Sequence, residues 1–222
     1  MIVTDLDKLV SKLPTCPGIL GKDEFLNAAV CIPLVQIDQT YHLLFEKRAD
    51  HIQQGGEICF PGGLFDPNKD KTLKQTAIRE TMEEIGVSNN QISIIGQIGS
   101  VFTPMGATID PFIGVLDIQT IQDLTIDQTE VNEVFLIPIS FFQTHQPDIY
   151  QIRMIAQPFY EKNGKIIELL PAKALGLPEK YSKPWGGFPL NVYMYHFENR
   201  MIWGLTARIV REFIRLLDKA GS

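Results

Sequence analysis

Residues 55–87 read GGEICFPGGLFDPNKDKTLKQTAIRETMEEIGV, and this stretch decides the fold. Two glycine pairs and a polar loop precede a run that is typical of a helix, which Gly86 would end. Within that run Glu80, Glu83 and Glu84 stand at spacing i, i+3 and i+4, so their carboxylates share one narrow helix face. Like charges about 5 Å apart repel by roughly 3 kcal/mol at an effective dielectric of about 20, which favours a multivalent cation. This pattern predicts a magnesium-type site that acts on phosphates.

The length and composition predict one folded unit without a large basic surface. The chain has 222 residues, a formal net charge of −6 and 45% hydrophobic residues. We expect a single domain over residues 1–222, with a core at about 25–140 and a C-terminal extension at 141–222. The acidic balance argues against nucleic acid and anionic membranes as partners. An anionic small-molecule substrate would therefore need a cation to bridge it to the protein.

Cysteine spacing and hydropathy bear on the compartment. Cys16, Cys31 and Cys59 have no C-x-x-C spacing, which is typical of a reducing compartment and argues against a disulfide framework or a zinc site. No run reaches the roughly 18 apolar residues of a membrane span. We therefore expect a cytoplasmic protein. The sequence leaves open whether it forms a homodimer.

Apolar and alternating runs predict the secondary structure. Amphipathic helices are expected at residues 4–13 and 205–217. Asn163-Gly164 between apolar runs predicts a hairpin. The Pro- and Gly-rich residues 171–190 predict a long loop that is either ordered or lid-like. The expected strands are 28–37 and 41–48, joined as a hairpin, followed by 57–60, 92–99, 109–116, 134–138 and 191–197.

The helical run resembles a known motif. Residues 79–87, RETMEEIGV, are similar to the second half of the Nudix box, R-E-U-x-E-E-x-G-U, in which U is a bulky aliphatic residue. Thr81 occupies the first U position. The first half of the box departs further: Lys71 stands where a glutamate is usual, Asp70 precedes it, and Gly63 lies two residues further upstream than the box requires.

An upstream signature resembles one branch of this superfamily, the coenzyme A pyrophosphatases. That branch carries L-L-T-x-x-[SA]-x3-R-x3-G-x3-F-P-G-G and a longer loop before the helix. The chain matches the signature at two leucines, one glycine and the F-P-G-G run, which are Leu43, Leu44, Gly56 and residues 60–63. It departs at Phe45, Arg48 and Ile52, where the signature has threonine, a small residue and arginine. The resemblance covers most of residues 28–217.

The resemblance implies a Nudix-type α/β/α sandwich with a mixed β-sheet, a catalytic loop-helix-loop, and N- and C-terminal helices. It also implies that Glu80, Glu83 and Glu84 hold Mg²⁺ or Mn²⁺, because all-oxygen ligation suits these ions better than zinc. The carbonyl of Gly63 is a further expected metal ligand. Arg79 would orient Glu80 by a paired hydrogen bond.

The same resemblance implies a general base and a phosphate-binding surface. Glu80 is one candidate base, and Glu130 and Glu133 of a later acidic segment are the others. The expected catalytic set is Arg79, Glu80, Glu84 and Glu130. The expected substrate-binding set is Arg48, Gly62 and Gly63, with Lys47 and Arg48 as candidates to meet the 3′-phosphate of coenzyme A.

The implied reaction is metal-dependent hydrolysis of coenzyme A or acyl-coenzyme A to 3′,5′-ADP and 4′-phosphopantetheine or its acyl form. ADP-ribose or NADH is the alternative substrate, and a nucleotide-sensing module without turnover is a third reading. A Glu-rich helical turn is by itself more often a solvated face, but Arg79, Gly86 and the F-P-G-G run in register favour the metal site. Cys59 is expected to be a packed core thiol.

Overall fold

The computed structural model describes residues 10–14 and 18–220. Most of the N-terminal helix expected at residues 4–13 lies outside the described residues, and so does Cys16. Within the described part, the fold is mixed α/β.

A mixed eight-stranded sheet forms the centre of the described fold, with strand order β3-β2-β1-β7-β5. Three further strands pair with its members: β4 with β1, β6 with β7, and β8 with β2. The pair β1–β7 is parallel and the other pairs are antiparallel. The strands are β1 (Leu26–Ile37), β2 (Thr40–Arg48), β3 (Ile58–Cys59), β4 (Gly62–Leu64), β5 (Ile92–Gln97), β6 (Val101–Phe102), β7 (Ala107–Leu116) and β8 (Val131–Pro138). The strands predicted in this part of the chain are confirmed.

Helices cover both faces of this sheet, as predicted. Helix α1 (Leu73–Ile85) packs on one face, and the short α2 (Ile139–Thr144) and the C-terminal α3 (Gly204–Ala220) pack on the other. Successive side chains of a strand point to opposite faces, and β2 follows this rule: Leu44 joins the cluster with α1, whereas Phe45 joins the cluster with α3. The C-terminal helix predicted at 205–217 is confirmed with slightly wider bounds.

The C-terminal part adds a three-stranded sheet in the order β13-β12-β9 and a two-stranded hairpin. Their bounds are β9 (Asp148–Ala156), β10 (Phe159–Lys162), β11 (Lys165–Glu168), β12 (Trp185–Phe197) and β13 (Arg200–Trp203). Asn163 and Gly164 connect β10 to β11 with φ angles of 52° and 72°, the left-handed conformations that a tight hairpin turn requires. That predicted hairpin is confirmed.

The long loop predicted at residues 171–190 is wrong at its C-terminal end, because β12 begins at Trp185. Gly186 and Gly187 adopt φ angles of 91° and 85° at a register shift against β9, so the glycine pair bends the strand without ending it. Pro189 lies within the same strand, opposite Arg153. Over residues 10–14 and 18–220, none of the helices has the length and apolar character needed to cross a membrane.

Candidate active site

Helix α1 has clear start and stop signals. Thr72 caps its N-terminus, with its side-chain oxygen accepting the N–H of Gln75 at 3.3 Å. Gly86 ends the helix with φ of 74°, a left-handed conformation that favours glycine, and its N–H donates to Met82 O at 3.1 Å. Thr81, in the position where the box has an aliphatic residue, is buried and donates its hydroxyl proton to the carbonyl of Ala77 at 2.6 Å. This internal hydrogen bond satisfies the polar group that the substitution introduces.

The carboxylate face of α1 points partly into the protein. Glu84 is 2% exposed and Glu80 is half-buried, whereas the side chain of Glu83 is half exposed. A fully solvated acidic face is therefore excluded. The backbone N–H of Gly62 donates to Glu84 Oε2 at 2.8 Å, which joins the helix to the F-P-G-G segment.

The two glycines of that segment lie close to other groups of the protein. A Cβ atom on Gly62 would collide with the carbonyl oxygen of Ala29 on β1. A Cβ atom on Gly63 would lie 2.5 Å from Glu80 Oε1. The F-P-G-G run thus brings its backbone against the helix carboxylates. An added side chain would meet backbone at Gly62 but only the movable end of Glu80 at Gly63.

Arg79 makes its paired hydrogen bond with Asp70, so the prediction that it would pair in this way with Glu80 is wrong. Its Nε donates to Asp70 Oδ1 at 3.0 Å and its Nη2 donates to Oδ2 at 2.8 Å. The remaining Nη1 contacts Glu80 Oε1 at 2.7 Å and Glu83 Oε2 at 2.9 Å. The guanidinium therefore gathers three carboxylates, of which Asp70 is the most buried.

The extended loop after β4 explains how Asp70 reaches Arg79. The backbone N–H groups of Lys69 and Asp70 both donate to Asp66 O, at 3.0 and 2.7 Å, and Asp66 Oδ1 accepts the N–H of Asn68 at 2.9 Å. This tight turn takes up the extra residues of the loop. Asp70, one residue before Lys71, thereby brings a carboxylate to Arg79 from a loop that lacks the usual glutamate of the box.

The pKa values of Glu80 and Glu84 are raised, whereas the pKa of Asp70 is lowered. Burial, together with repulsion from Glu46, raises the pKa of Glu84 to about 9, although the Gly62 N–H opposes this shift. Burial also raises the pKa of Glu80, against the influence of Arg79. The hydrogen bonds from Arg79 lower the pKa of Asp70. Burial thus dominates at Glu80 and Glu84, whereas the paired contact with Arg79 dominates at Asp70.

Glu46 belongs to this site and was missed from the sequence. It is fully buried on β2, and burial raises its pKa to about 7. Its Oε1 accepts a hydrogen bond from Cys59 Sγ at 3.2 Å, and its Oε2 has no hydrogen-bond partner among the described residues. The available signal was its spacing: Glu46 lies two residues after Leu44, so it extends the face of β2 that packs on α1. Cys59 is accordingly a partner of a site carboxylate rather than a simple core thiol.

Glu130 and Glu133, the two candidates for the general base from the later acidic segment, have different surroundings. The negative charge of Glu130 acts on both Glu46 and Glu80, and the carbonyl of Glu130 accepts the N–H of Ala49 at the end of β2 at 2.8 Å. Glu133 instead accepts a hydrogen bond from Arg200 Nε at 3.3 Å and lines a different cavity. Only Glu130 of this pair is brought to the carboxylate cluster.

A cavity of about 480 Å³ opens beside the carboxylates and reaches the C-terminal extension. Arg48, Cys59, Gly62 and Gly63 line its site end. The other wall comes from β9, β12, β13 and α3 and is largely apolar, with Ile152, Leu190, Val192, Trp203 and Leu205 among its residues. Lys47 lines the separate cavity with Glu133, so the structure brings Arg48 but not Lys47 to the carboxylate side.

Comparison with known proteins identifies the family. The profile of the NUDIX domain matches residues 25–148, more than half of the chain. The chain belongs to the Nudix family. Nudix hydrolases act on phosphoanhydride bonds and generally use divalent metal ions.

The relatives carry the same family name. Nudix hydrolase 3 of Caenorhabditis elegans is 39% identical over 125 residues, which are 54% of this chain and 51% of the relative, so the chain spans about half the length of that protein. The uncharacterized Nudix hydrolase NudL of Yersinia enterocolitica is 30% identical over 195 residues, 86% of this chain and 82% of the relative. A solved structure of a MutT/nudix family protein from Enterococcus faecalis is 12% identical, with a TM-score of 0.49, and the match covers 98% of this chain and 70% of that one.

The Nudix carboxylates fit a divalent cation by their chemistry. They offer only oxygen atoms, which suits magnesium-like ions, and Glu46 Oε2 is a buried acceptor with no partner among the described residues. Within residues 10–14 and 18–220, no three Asp, Glu, His or Cys side chains are already drawn together as a complete ligand set. Arg79 instead contacts Glu80 and Glu83.

Proposed function

We propose that the chain is a metal-dependent pyrophosphatase that hydrolyses coenzyme A or acyl-coenzyme A. Water attacks a phosphorus atom of the diphosphate and the P–O–P bond breaks, which gives 3′,5′-ADP and 4′-phosphopantetheine or its acyl form. The cavity beside the carboxylates carries this proposal. Its lining includes the charged Arg48 and Glu57, and its C-terminal wall is largely apolar apart from Asn191, Thr206 and Arg208. A pyrophosphate with a long arm matches this lining, because Arg48 can meet a phosphate and the methyl and methylene groups of the arm gain from apolar contacts.

Two departures from the coenzyme A signature, Phe45 and Arg48, can be accommodated in this proposal. Phe45, which replaces the threonine of the signature, is fully buried and stacks between Phe60 and Phe135 at centroid distances of 4.8 and 5.8 Å. It therefore belongs to the core and does not face a substrate. Arg48 lines the cavity and offers a guanidinium suited to a phosphate group.

The proposed roles rest on the box motif and on the chemistry of its side chains. Glu80, Glu83 and Glu84 would hold Mg²⁺ or Mn²⁺, with the carbonyl of Gly63 as a further oxygen donor. When bound, the cation neutralises charge on the diphosphate oxygens and makes the attacking water more acidic.

The remaining residues of the site position the substrate and move the proton. Glu130 accepts the proton of the attacking water, because it is the later acidic residue whose charge reaches the carboxylate cluster. Arg79 fixes the carboxylate helix to the loop through Asp70. Arg48 binds a substrate phosphate at the cavity mouth.

ADP-ribose or NADH is the second candidate substrate class. One observation favours it: Arg48 and Ile52 still differ from the coenzyme A signature, and Arg48 lies at the cavity. A nucleotide sensor without turnover ranks below both, since the box glutamates Glu80, Glu83 and Glu84 are all retained.

We also propose three further properties: the compartment, the oligomeric state and the extent of the functional unit. The free thiols Cys31 and Cys59 fit a reducing compartment such as the cytoplasm. Homodimerisation is compatible with the exposed apolar side chains of β9, such as Ile149 and Ile155. The residues beyond 140 are taken as part of the same functional unit, because they build one wall of the cavity.

A substrate panel tests the proposed function. Coenzyme A, dephospho-coenzyme A, ADP-ribose and NADH are each incubated with the protein and Mg²⁺, and the products are separated by chromatography. The proposal expects coenzyme A to be cut most efficiently and dephospho-coenzyme A less so. Tight nucleotide binding without any product after long incubation would favour the sensor instead.

A further inference from the structure

Glu46 is a buried carboxylate that the expected Nudix roles do not use. Its side chain is fully buried on β2, and it points to the same side of the sheet as Leu44, toward α1. Its Oε1 is held by the thiol of Cys59 at 3.2 Å, which leaves Oε2 without a hydrogen-bond partner among the described residues. Leaving a buried acceptor unpaired costs free energy, more so for a charged group, so a retained orphan oxygen indicates a missing partner.

Glu46 and Glu84 attach to the same short piece of chain. Cys59, which contacts Glu46, and Gly62, whose N–H donates to Glu84, are three residues apart. Three residues of extended chain span at most about 10 Å. Glu80 approaches the next residue, Gly63. The strand carboxylate and the two helix carboxylates therefore converge on one segment.

Two cationic side chains, Arg79 and Arg48, act on the cluster by their charge. Arg79 is bound to Asp70, Glu80 and Glu83. Arg48 Nε donates to the carbonyl of Gln53 at 3.2 Å. Neither supplies a hydrogen bond to Glu46 Oε2. The partner that this oxygen lacks is thus best supplied by a bound cation.

We propose that Glu46 supplies a further carboxylate oxygen, from strand β2, to the divalent metal ion held by Glu80 and Glu84. Cys59 positions the side chain through Oε1 and leaves Oε2 for the cation. This inference rests on the proposed function for the presence of the metal, but not for the identity of the substrate. The opposing reading is that Glu46 serves only as a buried acceptor for the Cys59 thiol.

Binding of Mn²⁺ without substrate tests the proposal, with free Mn²⁺ measured by electron paramagnetic resonance. Glu46→Gln keeps the shape and an acceptor for Cys59, and we expect it to weaken Mn²⁺ binding at least about tenfold. Glu46→Asp keeps the charge but withdraws the oxygen, so we expect weaker binding here too. Glu133→Gln removes the same charge on a neighbouring strand away from the cluster and should leave the dissociation constant within about twofold of the unaltered protein's.

Each other outcome overturns the proposal in a recognisable way. Unchanged Mn²⁺ binding by Glu46→Gln would leave Glu46 as an acceptor for Cys59 only. Full affinity in Glu46→Asp combined with loss in Glu46→Gln would show an effect of charge without direct ligation. Circular dichroism checks the fold of both variants, and Glu46→Asp alone decides if Glu46→Gln does not fold.

Failure of the proposed function is distinguishable from failure of this inference. If Glu84→Gln loses Mn²⁺ and Glu46→Gln does not, the metal site stands and the role of Glu46 falls. If the unaltered protein binds no Mn²⁺, both fall together. If Glu46→Gln binds Mn²⁺ weakly but the unaltered protein does not cut coenzyme A, only the proposed substrate is wrong.

Discussion

Glu84 Oε2 accepts a 2.8 Å hydrogen bond from the backbone N–H of Gly62, which locks the carboxylate helix onto the F-P-G-G segment. This contact links two motifs that lie 22 residues apart in the chain. It also joins the most buried helix carboxylate to a residue that lines the cavity, Gly62. The box and the upstream signature are therefore two sides of one site.

Glu84→Gln should lower the rate of hydrolysis with Mg²⁺ by at least about 100-fold, a loss typical of a key electrostatic group. The fold should persist, because glutamine keeps the size of the side chain and still accepts the Gly62 N–H. Steady-state kinetics and circular dichroism check both statements. Glu133→Gln is the matched control and should retain nearly full activity. Retained turnover in Glu84→Gln would refute its role as a metal ligand.

Asp70→Asn should reduce the free energy of unfolding by about 3 kcal/mol, because it breaks a buried ion pair at one partner. The loss of stability should not exceed this value, because Arg79 keeps Glu80 and Glu83 as partners. Chemical denaturation measures the change. Lys69→Gln removes only an exposed 3.9 Å contact with Glu83 and should cost less than about 0.5 kcal/mol. Equal effects of the two substitutions would contradict the anchoring role of Asp70.

Gly62→Ala should mainly lower stability, whereas Gly63→Ala should mainly weaken metal binding. The new Cβ at position 62 meets the backbone of β1, so we expect a loss of about 2 kcal/mol in stability. The new Cβ at position 63 meets the movable end of Glu80, so we expect weaker Mn²⁺ binding with a smaller loss of stability. Thermal unfolding and metal titration separate these outcomes. Gly96→Ala, which has open space and an ordinary φ, is the control and should change neither property.

Ile152→Asp should raise the KM for coenzyme A about tenfold with little change in kcat, because Ile152 lines the apolar wall away from the carboxylates. Ile155→Asp provides a close control. It lies on the same strand with similar exposure, but the strand alternation turns it to the other face and it does not line the cavity. Equal effects of the two variants on KM would argue against the cavity as the site of the pantetheine arm.

Arg48→Gln should reduce the preference for coenzyme A over dephospho-coenzyme A by about tenfold, if Arg48 meets the 3′-phosphate. Lys47→Gln should leave this preference unchanged, because Lys47 lines the other cavity. The ratio of kcat/KM values for the two substrates is the measurement. An unchanged ratio in Arg48→Gln would remove the case for a 3′-phosphate contact at this residue.

The sequence predicted those elements in which local signals agree with the tertiary structure. The 28–37 and 41–48 hairpin, helix α1 with Gly86, and the Asn163-Gly164 turn all follow from periodicity and turn chemistry. The start of β12 was mispredicted because Gly186 and Gly187 are typical loop residues. In the fold they form a bend that pairing with β9 stabilises.

Some residues of the site could be found from local sequence patterns, whereas others depend on contacts between distant parts of the chain. Glu80, Glu83 and Glu84 became candidates from helical spacing together with Arg79, Gly86 and the F-P-G-G run. The pairing of Asp70 with Arg79 depends on a tight turn that takes up extra loop residues. The choice of Glu130 over Glu133 depends on their surroundings, since the charge of Glu130 acts on Glu46 and Glu80 whereas Glu133 pairs with Arg200. Glu46 was missed because a single glutamate in a strand carries no motif. Its spacing from Leu44 gives its strand face, but its burial depends on the packing of β2 on α1.

Mass-spectrometric identification of the products from coenzyme A and Mg²⁺ tests the central claim most directly, with Glu84→Gln as the blank. The account predicts equal amounts of 3′,5′-ADP and 4′-phosphopantetheine from the unaltered protein and almost none from the variant. Intact coenzyme A under conditions in which ADP-ribose or NADH is hydrolysed would contradict it.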